Sequence, residues 1–372
     1  GNTNIELRSG RLEYRTRTLR IPNDVRQSGT AGIAELDGFD EVVDVRSPAE
    51  FAIDHVPGAV NCPVLDDEER ARVGTLYKQV SSFEARKIGA ALVARNVARH
   101  VETHFASRDP RWKPLIYCWR GGKRSGSMAH VLREIGWEAA ALQGGYQSYR
   151  RAVLAQLEEL PSHLEFRVIC GPTGSGKSRL LQKLALQGAQ VLDLEDLAKH
   201  RGSVLGNLPD AAQPSQKMFE SLVWYALRQF DAALPVFVEA ESRRIGLLRV
   251  PERLLERMRA SACVRIHAPA AERVRFLIDE YRHLLEEPAG LKTLLLRLTA
   301  LHSRETVGRW IAQIDAREWQ ALVCDLLATH YDPAYVRSME KNYPGLTDAA
   351  LLDVPRLDDA GFESGASALL GQ

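Results

Sequence analysis

Short apolar runs alternate with stretches of helical periodicity along this chain, and that alternation predicts an α/β architecture. Pro114-Leu115-Ile116-Tyr117 reads as a buried strand and Met128 to Arg133, just beyond it, as a helix. Earlier, Glu41-Val42-Val43-Asp44-Val45-Arg46 is β-branched enough for a strand. Ser47 as N-cap, Pro48 at the first helical position and Glu50 at the third then start a helix. His55 to Pro63 reads as a turn into another short strand. Asp66 to Arg99 looks like an insertion with a helix from about Phe83; its Tyr77-Lys78-Gln79 reads equally as a solvated loop or a substrate contact. Val153, Leu154, Leu157 and Leu160 have helical spacing and Pro161 ends it, which places a helical linker over 151–164 between a domain at 36–150 and another at 165–372. The second domain repeats the alternation, with strands at Phe166 to Cys170, Ala189 to Leu194, Pro235 to Glu241 and Ala262 to His267. Helices follow at Arg179 to Gln187 and from Pro269, the latter bearing Arg273 and Arg275. From about Pro288 only helices are expected, with turn signals from Tyr343 to Leu352 and no chemistry.

Composition narrows this little further. The 372 residues are 45% apolar and 26% charged, and they contain no run near the ~18 apolar residues of a membrane span, so a globular protein without a membrane is expected. The polar, arginine-rich beginning has no apolar signal core, which points to a cytoplasmic protein. Arg11, Arg15, Arg17 and Arg20 in it read as a basic arm or as an unstructured extension. Five cysteines (62, 118, 170, 263, 324) are scattered without a CxxC pair, and the histidines form no HExxH-like cluster. Neither a disulfide framework nor a bound metal is therefore expected. A net charge of +1 leaves nucleic-acid binding to local patches.

Chemistry concentrates in two loops. In Cys118-Trp119-Arg120-Gly121-Gly122-Lys123-Arg124-Ser125, a cysteine leaves a strand, passes a glycine-containing loop and meets a helix N-terminus. Backbone N–H groups around such a thiolate lower its pKa and hold an anion. The spacing Cys118-x5-Arg124 is expected to return the guanidinium over the same pocket. In the second domain, Gly171-Pro172-Thr173-Gly174-Ser175-Gly176-Lys177-Ser178 fits G-x-x-x-x-G-K-S between a strand and a helix. Its backbone would cradle phosphates, Lys177 would bridge the terminal pair, and Ser178 would ligate Mg²⁺ where one binds. Glu239 and Glu241 stand where an aspartate is usual, which argues against ordinary Mg-ATP hydrolysis. Ser242, Arg243 and Arg244 are expected beside them at the carboxyl edge of the sheet.

DVRSPAEFAIDHVPGAVNCP, then CWRGGKRS, then Leu142-Gln143-Gly144-Gly145-Tyr146 resembles a rhodanese domain over roughly 36–150. The resemblance implies a loop cysteine that carries sulfur or selenium, with Asp44 and Arg46 holding the scaffold and His55 either structural or functional. Fused to the P-loop, and with Asp193-Leu194-Glu195, His200-Arg201-Gly202-Ser203, Gln213 to Gln216 and Glu239 to Gly246, nearly the whole chain resembles the bacterial tRNA 2-selenouridine synthase family. That family replaces the sulfur of wobble 2-thiouridine in tRNA by selenium from selenophosphate, through an S-geranyl intermediate made from geranyl diphosphate. The resemblance implies selenium on Cys118, the prenyl diphosphate on the P-loop, no bound cofactor, and a tRNA partner. Arg120, Lys123, Arg124, Arg243, Arg244, Arg249, Arg253, Arg257 and Arg259 are candidates for tRNA contact, the last four equally for a solvated, Glu-paired face. Two rivals remain. Cys-x5-Arg-Ser is also a phosphatase loop, and a P-loop kinase with a regulatory rhodanese domain would use the arginine-bearing helix after Pro269.

Overall fold

The computed structural model describes residues 6–8, 11–13, 29–201 and 212–371. Arg15, Arg17 and Arg20 of the basic arm and the Gly202-Ser203 pair lie outside the described residues, as does the side chain of Arg11. Glu6–Arg8 (β1) and Arg11–Glu13 (β2) pair antiparallel.

Packing divides the chain into two units. One ends at Leu157 and also takes in Pro214–Tyr225; the other starts at Glu158 and holds the rest. In the first, Thr30–Ala31 (β3), Glu41–Asp44 (β4), Val60–Asn61 (β5), Pro114–Tyr117 (β6) and Ala140–Leu142 (β7) form a parallel sheet of order β3-β7-β6-β4-β5. β6 is buried along its whole length, as a strand covered on both faces must be, and its apolar run carries that signal. The helix at Pro48–Ile53 starts on the capping box formed by Ser47 and Glu50.

Two sequence expectations change in this unit. Asp66 to Arg99 is a helical hairpin, Asp67–Gln79 and Ser82–His100, so Tyr77-Lys78-Gln79 is helix rather than loop. Asp66 caps the first helix by accepting from the Glu69 N–H at 2.8 Å, but the charged, weakly amphipathic stretch hid its period. The expected linker is the second half of a continuous helix, Gly145–Glu159, followed by a 3₁₀ turn at Leu160–His163, and Val153 and Leu157 are buried in it. Tyr149 meets Trp224 edge-on at 5.4 Å, and the Trp224 indole donates to Gln156 Oε1 at 2.8 Å, which holds residues 214–225 in this unit.

The second unit is another parallel sheet. Phe166–Cys170 (β8), Gln190–Leu192 (β9), Val236–Glu239 (β10), Ala262–His267 (β13) and Ala350–Asp353 (β14) take the order β14-β13-β8-β10-β9. A hairpin, Arg244–Ile245 (β11) with Leu248–Arg249 (β12), stands apart from it. β14 corrects the expectation of helices alone after Pro288: four residues at a sheet edge, three of them exposed, give no apolar run to read. A separate apolar cluster of Leu291, Leu295, Trp310, Ile314, Leu322 and Leu326 holds the C-terminal helices together. Both sheets present their chemistry where parallel α/β folds bind ligands, in the loops after the carboxyl ends of central strands.

Candidate functional site

Cys118 follows β6 directly and is 3% exposed. The Gly122 N–H and the Ser125 hydroxyl donate to its Sγ at 3.3 and 3.2 Å. Burial pushes the thiol up, but the Ser125 hydroxyl and the backbone N–H groups of Ser125, Arg120 and Gly122 outweigh it, and the thiol sits below its ordinary value. The Arg124 guanidinium pairs at 3.4 Å with Glu50, a half-buried carboxylate on the helix Pro48–Ile53. Burial raises the Glu50 carboxyl, and Arg124 with Arg70 more than offsets that.

The loop is closed from below by the Leu142-to-Tyr146 motif. Tyr146 N–H donates to Cys118 O at 2.8 Å and Gln147 N–H to Trp119 O at 3.1 Å, while the Trp119 and Tyr146 rings stack at 5.1 Å. A Cβ on Gly145 would stand 2.3 Å from Cys118 O and 2.4 Å from Gly121 N, and both glycines have positive φ, so this crossing admits no side chain. Arg120, Gly122 and Lys123 are exposed at the rim. Asp44 and Arg46 form a buried forked pair at 2.6 to 3.0 Å, with Arg46 also donating to Asp54 O. They tie the end of β4 to the Asp54 backbone. His55 hydrogen-bonds Phe51 O at 2.8 Å and stacks on the Phe51 ring, the structural alternative.

The second site surrounds the loop after β8. Gly171, Thr173, Gly174, Gly176, Lys177 and Ser178 line a cavity of about 580 Å³, with Ser175 buried behind them. Lys177 Nζ donates to Gly171 O at 3.0 Å and the Ser178 hydroxyl to Glu195 Oε2 at 3.1 Å. Glu195, Glu239 and Glu241 bring carboxylate oxygens within 4.8 Å of one another. One oxygen of Glu239, and the Ser175 hydroxyl, are buried without a hydrogen-bond partner. Desolvation, reinforced by Glu239, raises Asp193 to about 7. Burial and the same neighbour hold Glu195 and Glu241 well above the carboxylate range.

His200, Arg201 and Ser242 line this cavity; Arg243 and Arg244 do not. Both are exposed, Arg243 beside Glu252 and Arg244 in the hairpin, because the chain turns away at Ser242. Arg201 pairs with Glu280 and lies 5.2 Å over the Tyr281 ring. Arg253 pairs with Glu256, as the solvated reading of that helix has it. Arg273 is buried, donating to Thr173 O and pairing with Asp332, so it braces the P-loop instead of reaching toward a nucleotide.

The opposite wall was missed in the sequence. Phe276, Leu277, Tyr281, Tyr331, Tyr335, Met339 and Tyr343 face the cavity, four of them from the C-terminal helices expected to carry no chemistry. Tyr343 Oη donates to Glu241 O at 2.8 Å, which ties that wall to the acids. A second, apolar cavity of about 60 Å³ between Leu284, Leu291, Leu322 and Leu326 shares Leu277, Tyr281 and Tyr331 with the first. A repeated aromatic at wide spacing, Tyr331, Tyr335 and Tyr343, was the available signal.

Comparison with known proteins is consistent along the chain. A rhodanese-like domain model matches residues 31–152, and the model of the tRNA 2-selenouridine synthase AAA domain matches 164–292. A tRNA 2-selenouridine synthase of Bdellovibrio bacteriovorus is 32% identical over 81% of this chain and 89% of its own length. The chain belongs to the tRNA 2-selenouridine synthase family. Another member, from Nitrosomonas europaea, is 38% identical over 67% of this chain and 65% of its own length, so the match spans just under two thirds of that relative. Among the described residues no helix is long and apolar enough to cross a membrane.

Proposed function

We propose that this protein converts wobble 2-thiouridine in tRNA to 2-selenouridine through S-geranyl-2-thiouridine, using geranyl diphosphate and selenophosphate, with Cys118 carrying the selenium. One observation carries the assignment of the prenyl donor: the phosphate cradle at Gly171 to Ser178 opens onto an aromatic and aliphatic wall that continues into an apolar cavity. A nucleotide base and ribose offer little to Leu277, Met339 and a cavity lined by leucines, whereas a prenyl chain gains from every buried CH₂. The thione sulfur attacks C1 of the prenyl group, the C1–O bond breaks, and diphosphate leaves onto the loop N–H groups and Lys177. The S-alkyl group then leaves C2 as geranylthiolate and takes a proton from water, as selenium held at the Cys118 loop at the selenide level of selenophosphate adds there; water cleaves the P–Se bond and phosphate departs, so the step needs no oxidant or reductant.

Diphosphate beside three glutamates needs its charge compensated. A divalent cation of the magnesium class fits the site, since Glu239 keeps a buried oxygen without a partner. Glu195, Glu239, Glu241 and Ser178 would hold it, and when bound it would neutralise charge developing on the leaving diphosphate. The lowered Cys118 thiol and its Gly122 and Ser125 donors suit a chalcogen anion. Of the residues the two rivals would use, Arg124 is paired with Glu50, and Arg273 donates to Thr173 O and pairs with Asp332.

The test is mass analysis of the wobble nucleoside after incubating 2-thiouridine tRNA with geranyl diphosphate, with and without selenophosphate. Cys118→Ala is expected to accumulate the S-geranyl nucleoside, and Lys177→Ala to make neither product. Unaltered tRNA with wild type under every condition would overturn the reading.

A further inference from the structure

The first unit assembles three ligand-type side chains that the Cys118 loop does not use. Cys62 stands just past β5 and is fully buried. His100 ends the helix Ser82–His100 and is buried, while His104 lies in the π-helical turn Val101–Phe105 that continues it and is exposed. Cys62 Sγ and one ring nitrogen from each histidine lie within 4.8 Å of one another. Spacing of four residues puts both histidines on one face of the helical segment, and their rings approach to 5.4 Å.

The hydrogen bonding of His100 gives a second, independent sign. Its Nε2 is 2.9 Å from Pro63 O. A carbonyl only accepts, so Nε2 holds the proton and Nδ1 keeps its lone pair. Nδ1 is buried and has no hydrogen-bond partner. An unpaired buried acceptor is costly, and a bound ion would recover that cost. Metal-ligating histidines are usually oriented in this way, by a backbone carbonyl on the other ring nitrogen. Here Pro63, the residue after Cys62, supplies that carbonyl, so one short segment gives both a ligand and the group that aims another.

We propose that Cys62, His100 and His104 form a site for a borderline-soft divalent cation of the zinc class, with the thiolate and His100 Nδ1 as inner ligands and His104 closing the site at the surface. Binding exchanges the thiol proton for the ion: Cys62–SH releases H⁺ to solvent as the S–metal bond forms. Three protein ligands leave a coordination position facing water beside His104. Sulfur and imidazole nitrogen select zinc or cobalt over magnesium, which separates this site from the glutamates of the P-loop cavity. The ion would clip the end of the long helix to the loop after β5, at a sheet edge where β5 contributes only two residues.

Cobalt(II) titration of the full-length protein tests this, because only a thiolate ligand gives a sulfur-to-cobalt charge-transfer band. The band is expected in wild type and in Cys118→Ser, and Zn²⁺ should displace it. It should vanish in Cys62→Ser, and the exposed substitution His104→Ala, whose fold circular dichroism can check, should weaken Co²⁺ binding by at least about tenfold. A wild type without the band, a band that survives Cys62→Ser, or one lost with Cys118→Ser overturns the proposal.

Discussion

Ser125 is the residue that distinguishes Cys118 from the other buried cysteines. Its hydroxyl and N–H both act on the sulfur, where burial, reinforced by the nearby Glu41 and Asp44 carboxylates, drives Cys62 up to about 12. Removing the hydroxyl in Ser125→Ala should raise the Cys118 pKa, because a hydrogen bond that favours the thiolate is lost. The pH dependence of alkylation by iodoacetamide would measure it; an unchanged midpoint would assign the shift to backbone N–H groups alone. The carboxyl groups across the second site have the opposite bias. Asp193 at about 7, with Glu195 and Glu241 also raised, keeps protons in the folded state that the unfolded chain releases near the ordinary carboxylate value. Stability from these groups is therefore full below that ordinary value and is lost as pH rises through about 7 and beyond. Melting temperature without divalent ions should fall over that range, and Mg²⁺ should reverse the fall by binding the deprotonated cluster; a melting temperature that is flat with pH would contradict the assignment.

At the scale of elements, the C-terminal helices turn a phosphate loop into a two-part pocket. Leu277 belongs to both cavities, and Leu277→Ala removes about 2 kcal/mol of apolar burial from a prenyl chain. Geranyl diphosphate should bind roughly thirty-fold more weakly while inorganic diphosphate binds as before; equal losses by calorimetry would mean that the substitution has damaged the loop itself. Legibility divides along the same line. Both anion loops, their strands and the Asp44–Arg46 scaffold were readable because each is a local device: a buried run, a glycine turn and a helix start within about a dozen residues. Glu195 and Glu241 could be seen, but not that they converge with Glu239, since strand order is not written in any one segment. The aromatic wall and β14 come from the last third of the chain, where helical packing patterns conceal which face meets a ligand. The spacing fixes the reach of Arg124 and not its partner; Glu50, 74 residues away, supplies that. The Cys62 cluster was passed over for a similar reason, as the His100 and His104 pair is local but its cysteine lies 38 residues earlier on another element.

At the scale of the whole molecule, the chain order of the two units is not a simple succession. Residues 214–225 leave the second unit's sequence to complete the first, and the helix Gln216–Gln229 that carries most of them then continues onward. This insertion is buried where it counts: Trp224, Phe219 and Val223 are fully enclosed, and Ser221 Oγ donates at 2.7 Å to Asp54, itself fully buried. Tyr146 Oη donates to the other Asp54 oxygen at 2.7 Å, and Arg150, 3.9 Å away, also pairs with Glu220. Tyr146 is the ring that stacks on Trp119 next to Cys118, so the insertion supports the reactive loop through two buried side chains. A fragment ending at Leu157 would keep every rhodanese motif and still expose Tyr149 and leave Asp54 short of a donor. Losing the packing of a buried tryptophan should cost about 3–5 kcal/mol and leaving Asp54 without its Ser221 donor about 1–3 kcal/mol more, enough to unfold a domain of ordinary stability. The fragment 29–157 should accordingly melt far below the full chain or fail to fold, and a synthetic peptide spanning 214–229 should restore both its melting transition and the reactivity of Cys118. A fragment as stable as the full chain would show that the first unit is complete without that helix, and the peptide would then have nothing to restore.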